Sequence, residues 1–133
     1  MKKIKVIIER AGDGTFSAYS EKVDGIYGMG DTPNKAKESA LKSLNLFIKN
    51  NNIKYIPKEL QGKYELVFKF DTESLLNYYK GIFSNAGLER LTNINQRQLQ
   101  HYSSGLKKPL PKQRKKIETA LHQLGRELLS VEL

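Results

Sequence analysis

Residues 95–109 read Asn95-Gln96-Arg97-Gln98-Leu99-Gln100-His101-Tyr102-Ser103-Ser104-Gly105-Leu106-Lys107-Lys108-Pro109, and the spacing inside this stretch decides how the second half of the chain folds. Asn95 suits a helix N-cap, because its side-chain oxygen can accept from an orphan backbone N–H of the first turn. Leu99 and Tyr102 stand three apart and share one face. At about 100° per residue, Arg97, Gln100, His101 and Ser104 then fall on the other side, with Gln96 at the exposed N-terminal end. Gly105 can take the left-handed conformation that closes a helix. A helix over residues 95–104 is expected, apolar on one side and polar on the other.

The neighbouring segments keep the helical period. Upstream, Ser84 can cap a helix anchored by Ala86, Leu88 and Leu91, and Thr92-Asn93-Ile94 supplies a tight turn with Ile94 pinned to the core. Before that, Asp71 or Thr72 can cap a helix carrying Leu75, Leu76, Tyr78, Tyr79 and Ile82. Downstream, Pro111 opens a long helix with Ile117, Leu121, Leu124, Leu128 and Leu129. A short helix, a tight turn and a second two-faced helix are what a helix-turn-helix requires. Arg can pair bidentately with guanine and Gln with adenine, and His can bond base edges or phosphate. Gln96, Arg97, Gln100 and His101 are therefore candidate base readers. Asn95, Ser104, Lys107, Lys108 and Lys112 are candidate phosphate contacts, which add salt dependence but little sequence preference.

Charge points the same way. The chain carries 23 Lys plus Arg against 14 Asp plus Glu, a net +9, but the distribution is more telling than the total. Between Arg90 and Ile117 stand eight basic residues and no Asp or Glu. Ordinary surfaces mix the two signs, so a one-sign stretch of this length suggests a polyanionic partner.

The first seventy residues follow a different period. Lys3 to Arg10 alternates around Ile4, Val6 and Ile8, and Ala11-Gly12-Asp13-Gly14 can turn the chain into a partner strand over Thr15–Ser20. Gly25–Gly30 reads as a short third strand. Its glycines match neither the Walker nor the dinucleotide spacing, so a phosphate loop is not expected. Thr32 and Pro33 punctuate a helix start, and Ala36, Ala40, Leu41, Leu44, Phe47 and Ile48 give that helix an apolar face. Ile53 to Pro57 reads as an extended crossing. Lys63 to Phe70 alternates again, with Tyr64, Leu66, Phe68 and Phe70 on one side. The fold class expected is α+β: a strand-strand-strand-helix-strand domain over 1–70, then an all-α helix-turn-helix domain over 71–133, joined without a linker.

Residues 72–125 resemble the helix-turn-helix of the Cro and phage-repressor class in their polar helix start, the buried Leu99 and Tyr102, Gly105 and the nearby Pro109. They depart from it at Gly87, where that class has a Gln-type residue. With the N-terminal order included, the chain resembles the HicB antitoxin family. The cues are the Asp13-Gly14 hairpin, the Gly28-Met29-Gly30-Asp31-Thr32 approach to the helix, and Ala36 and Ala40 within it. That resemblance implies a degenerate ribonuclease-H-like N-terminal domain that binds and masks a HicA-type mRNA-cleaving toxin. It also implies a C-terminal domain that binds double-stranded operator DNA, as a homodimer or higher oligomer, to repress its own operon.

Other classes fare worse. The chain has no cysteine, which excludes disulfides, thiolate zinc sites and cysteine nucleophiles. A metal-dependent nuclease would need converging carboxylates. Glu9, Asp13, Glu21, Asp24, Asp31 and Glu38 show no selecting spacing, and His101 and His122 have no acidic cluster nearby, so neither catalysis, metal nor cofactor is expected. No apolar run approaches the roughly 18 residues of a membrane span, and Glu9-Arg10 cut short any signal-like start, so a cytoplasmic location without a membrane is expected. The competing expectation is a stand-alone DNA-binding regulator whose N-terminal domain senses a ligand or oligomerises.

Overall fold

A computed structural model describes all residues, 1–133. The fold is α+β, and the chain divides into two compact units, Met1–Asp71 and Thr72–Leu133. No helix is long and apolar enough to cross a membrane.

The first unit is a four-stranded sheet with one long helix against it. Strands β1 (Lys2–Arg10), β2 (Phe16–Tyr19) and β3 (Tyr27–Gly30) are followed by helix α1 (Pro33–Asn50) and strand β4 (Tyr64–Phe70). The sheet order is β3-β2-β1-β4, antiparallel except for β1 and β4, which run parallel in the register Lys2↔Tyr64 to Ile8↔Phe70. Such a parallel pair needs a long crossover, and α1 supplies it. Alternation sends Ile4, Val6, Ile8, Phe16 and Ala18 inward against Ala36, Ala40 and Leu44. Tyr64, Leu66, Phe68 and Phe70 pack half-buried on the same cluster. Leu41 is 41 % exposed and lies off the inward stripe.

Local chemistry sets the turns as expected. Asp13 Oδ1 accepts from Thr15 N–H (3.0 Å) and from its hydroxyl (2.7 Å), while Gly14 takes φ +89°. The Thr15 hydroxyl bond, then the backbone bond, holds the Asp13 carboxyl below its ordinary pKa. Thr32 Oγ1 accepts from Lys35 N–H at 3.1 Å and caps α1, with Pro33 in its first turn. The glycines of β3 serve close packing: a Cβ on Gly28 would collide with the Ala36 and Ala40 backbone, and one on Gly30 would stand 2.6 Å from Lys35 Cβ.

The connector from α1 to β4 is not the extended crossing expected from Ile53 to Pro57. It forms 3-10 turns at Ile53–Tyr55 and Lys58–Leu60, burying Ile56 and Leu60. Distant groups hold it. Gln61 Nε2 donates to the carbonyls of Ile53 (3.0 Å) and Ile56 (2.8 Å), and Lys2 Nζ donates to those of Lys58 (2.7 Å) and Gln61 (2.6 Å). These bonds satisfy carbonyls that an extended chain would have left to water.

The second unit is all helical: α2 (Thr72–Tyr78), α3 (Asn85–Thr92), α4 (Gln96–Ser103) and α5 (Pro111–Leu129). Leu76, Leu88, Ile94, Leu99, Tyr102 and Ile117 form its core, with Leu75, Phe83 and Leu121 packed against them. Asn77 Nδ2 bridges α2 to the end of α4, donating to Glu73 O (2.9 Å) and Ser103 O (2.7 Å). The first helix stops at Tyr78 and gives way to a 3-10 turn, which leaves Ile82 73 % exposed instead of on the core face.

Candidate nucleic-acid interface

The turn between α3 and α4 positions everything that follows. Ser84 Oγ caps α3 by accepting from Gly87 N–H at 3.0 Å. At the other end Asn93 takes the left-handed conformation, φ 60° and ψ 22°, and its N–H donates to Glu89 O at 2.8 Å. The buried Thr92 fastens the turn: its hydroxyl donates to Leu88 O (2.7 Å) and accepts from Ile94 N–H (3.1 Å). Leu88 and Thr92, four apart, are the inward positions of α3. Leu91, expected as an anchor, is 37 % exposed, because two turns of helix leave it off the face that Leu88 and Thr92 occupy.

Asn95 then caps α4 through its side-chain oxygen, which accepts from Arg97 N–H at 2.8 Å, leaving its amide nitrogen to donate outward. Leu99 and Tyr102 are 0 % and 2 % exposed and hold the helix to the core. Tyr102 Oη accepts from Gln98 Nε2 at 2.9 Å. Gln96, Arg97, Gln100 and Ser104 are exposed, and His101 is half-buried. Gln100, Ser104, Arg97 and His101 span an arc of roughly 100° at helical spacing, so they form one surface.

Their partners differ. Gln96 is braced by Glu89, whose carboxylate accepts from Gln96 N–H at 2.9 Å and lies near its side-chain amide at 3.5 Å. A carboxylate there suits the positive end of α4. Gln100 is oriented by Asn85, which donates to its Oε1 at 3.0 Å; the Gln100 amide N–H groups are left to donate elsewhere. His101 Nδ1 is buried without a hydrogen-bond partner, so Nε2 is the ring atom left for an outside group. Ser104 Oγ donates to His101 O at 3.2 Å and accepts from Leu106 N–H at 3.4 Å, which engages the proton a phosphate would need. Lys107, Lys108 and Lys112 are exposed beyond the helix, with Gly105 at φ +80° turning the chain toward them.

Sequence reading missed Asn85 and Glu89. Both act across the turn, on residues 15 and 7 positions away, and no local pattern marks such pairs.

The open face of the sheet in the first unit is the other surface to weigh, since Tyr27 and Met29 are 54 % and 49 % exposed there. Next to Tyr27 in register is Tyr19. Burial first, then the carboxylates of Glu9, Glu21 and Asp71, push its phenol above the ordinary value. Carboxylates around the aromatic pair oppose a polyanion. No group of three or more His, Asp or Glu side chains is placed to hold a metal ion. Comparison with protein-family models, with curated proteins and with solved structures finds no match to this chain.

Proposed function

We propose that the chain is a DNA-binding antitoxin. In this reading the second unit is a helix-turn-helix that binds operator DNA and represses its own operon. The first is a HicB-like, partial ribonuclease-H-like domain that binds and neutralises a HicA-type mRNA-cleaving toxin. The chain works in the cytoplasm as a homodimer or higher oligomer, with no catalysis and no cofactor of its own. The observation that carries the DNA half is the outer surface of α4: Gln96, Arg97, Gln100 and His101 on a helix anchored by Leu99 and Tyr102, followed by exposed lysines. The toxin half rests on the strand-strand-strand-helix-strand order ahead of it. Co-expression with a small basic HicA-type ribonuclease, taken from any such open reading frame found beside its gene, followed by pull-down, tests it: a soluble chain that captures no such protein sinks the antitoxin assignment.

One observation favours a stand-alone regulator with a ligand-sensing N-terminal domain. A cavity of about 340 Å³ lies beside β1 between Lys5, Ile7, Glu21, Val23 and Glu59. That is within the size range of small-molecule sites. A chain that binds no toxin but changes operator affinity with a metabolite extract would support this second reading.

A further inference from the structure

The two edges of the sheet in the first unit are finished differently. Asp71 N–H donates to Ile8 O at 2.9 Å, and in the parallel register Ile8 stands beside Phe70. Residues 65, 67 and 69 of β4 therefore turn their backbone groups toward β1, while Leu66 and Phe68 turn theirs to the outer edge. The sheet ends at β4, and the backbone groups of Leu66 and Phe68 bond no further strand, turn or loop. At the opposite edge β3 is only four residues long, and Ser39 Oγ on α1 accepts from Met29 N–H at 3.1 Å. Strand β4 has seven residues, contains no proline and pairs with β1 without a bulge. An edge of that length with none of the usual guards is a template for another strand.

The side chains along this edge define what fits it. Leu66 and Phe68 belong to the inner layer but stay half-buried. The group over the Phe68 ring is Lys37 Nζ, 5.3 Å from its centroid, a flexible cation in place of an apolar neighbour. On the open face Glu65, Val67 and Lys69 are exposed. We propose that β4 takes up an extended segment of a protein partner as a fifth strand. The partner is the toxin of the antitoxin reading, on which this inference rests. The outward N–H and C=O groups of Leu66 and Phe68 pair with the backbone of that segment. Side chains alternate along a strand, so the segment carries apolar residues at every second position to complete the inner layer beside Leu66 and Phe68. On the open face it sets a basic residue beside Glu65 and an acidic one beside Lys69. Main-chain bonds supply the affinity and the alternating side chains the specificity.

Amide hydrogen exchange followed by NMR, on the full chain alone and in complex with the co-expressed HicA-type ribonuclease, tests it. In the free chain the amides of Leu66 and Phe68 should exchange fast, while those of Val67 and Lys69 are protected by β1. In the complex Leu66 and Phe68 should lose their fast exchange, a residue-by-residue pattern that a docked helix or loop does not produce. Leu66→Pro removes one outward N–H and leaves the bonds to β1 in place, since edge strands accept proline where the N–H faces solvent. It should weaken toxin binding at least about fivefold by titration calorimetry, whereas Leu66→Val, which keeps the N–H, should bind like the wild type. Unchanged exchange at Val6 and Ile8 shows that the variant sheet is intact; where it is not, the exchange pattern of the wild-type complex decides. A complex that leaves Leu66 and Phe68 fast, or a folded Leu66→Pro chain that binds like the wild type, overturns strand addition and leaves the antitoxin reading standing. Failure to form any complex overturns both. Protection of the same two amides in the free chain, growing with concentration, gives the edge to a second copy and also overturns the proposal.

Discussion

Replacing Thr92 with valine separates a turn held by hydrogen bonds from one held by packing. Thr92 is 4 % exposed; its hydroxyl donates to Leu88 O at 2.7 Å and accepts from Ile94 N–H at 3.1 Å. Valine keeps the shape and exchanges the hydroxyl for a methyl. Leu88 O still has the helical N–H of residue 92 as a partner. Ile94, only 3 % exposed, loses the acceptor for its N–H. A stranded buried donor costs about 1–3 kcal/mol. One added buried methyl returns at most about 0.8 kcal/mol. With that offset taken in full the net loss expected is about 0.2–2.2 kcal/mol, a factor of roughly 1.5–40 in the opening equilibrium. Hydrogen exchange followed by NMR reads this on the full chain at Leu99, whose N–H donates to Asn95 O at 3.0 Å. Exchange there should speed up by that factor, while amides of Val6 and Ile8 in the first unit stay unchanged. Equal or slower exchange at Leu99 would mean that packing alone holds the turn, and the hydrogen-bond account would be wrong.

Gly28→Ala should destabilise the first unit by about 1–3 kcal/mol, because the added methyl meets the α1 backbone, which cannot rotate aside; a far-UV circular dichroism melt reads the lowered midpoint. Gly125→Ala should stabilise α5 by about 0.5–1 kcal/mol, since the site is helix interior. Nothing lies within 4 Å of the added Cβ, and the same melt measures the gain. Lys107→Ala and Lys108→Ala should each lower the slope of log affinity against log salt for duplex DNA by roughly 1, with sequence preference kept. Acidification should weaken the β1–β2 hairpin through Asp13. Its folded carboxyl is held below the ordinary value, so its contribution is present above the unfolded pKa and lost as pH falls through the folded one. Asp13→Asn should flatten that part of the pH–stability curve.

Much of the architecture was legible in short windows, because its causes are local. The caps at Thr32, Ser84 and Asn95 and the Asp13 turn follow from side-chain oxygens and neighbouring N–H groups. The inward pair Leu99 and Tyr102 follows from helical spacing alone. What escaped is set by distant groups. The parallel pairing of Lys2–Ile8 with Tyr64–Phe70 joins segments some sixty residues apart. The 3-10 connector depends on Lys2 and Gln61, and the glycines of β3 are explained only by the nearness of α1. In the candidate interface the outer residues of α4 could be named from spacing. Their orientation by Asn85 and Glu89, the engaged hydroxyl of Ser104 and the half-burial of His101 could not, since each depends on how α3 and the segment after α4 lie against it.

Fluorescence anisotropy with duplex DNA from upstream of the chain's own gene, at fixed salt, compares the wild type with the Arg97→Ala, His101→Ala double variant. A bidentate arginine–guanine contact contributes about 1–3 kcal/mol of discrimination. Affinity for the upstream site should therefore fall roughly tenfold or more, while affinity for a scrambled duplex changes by much less. Equal affinity of wild type and variant for the upstream site, or an equal loss on both duplexes, would contradict the assignment of α4 as the helix that reads DNA sequence.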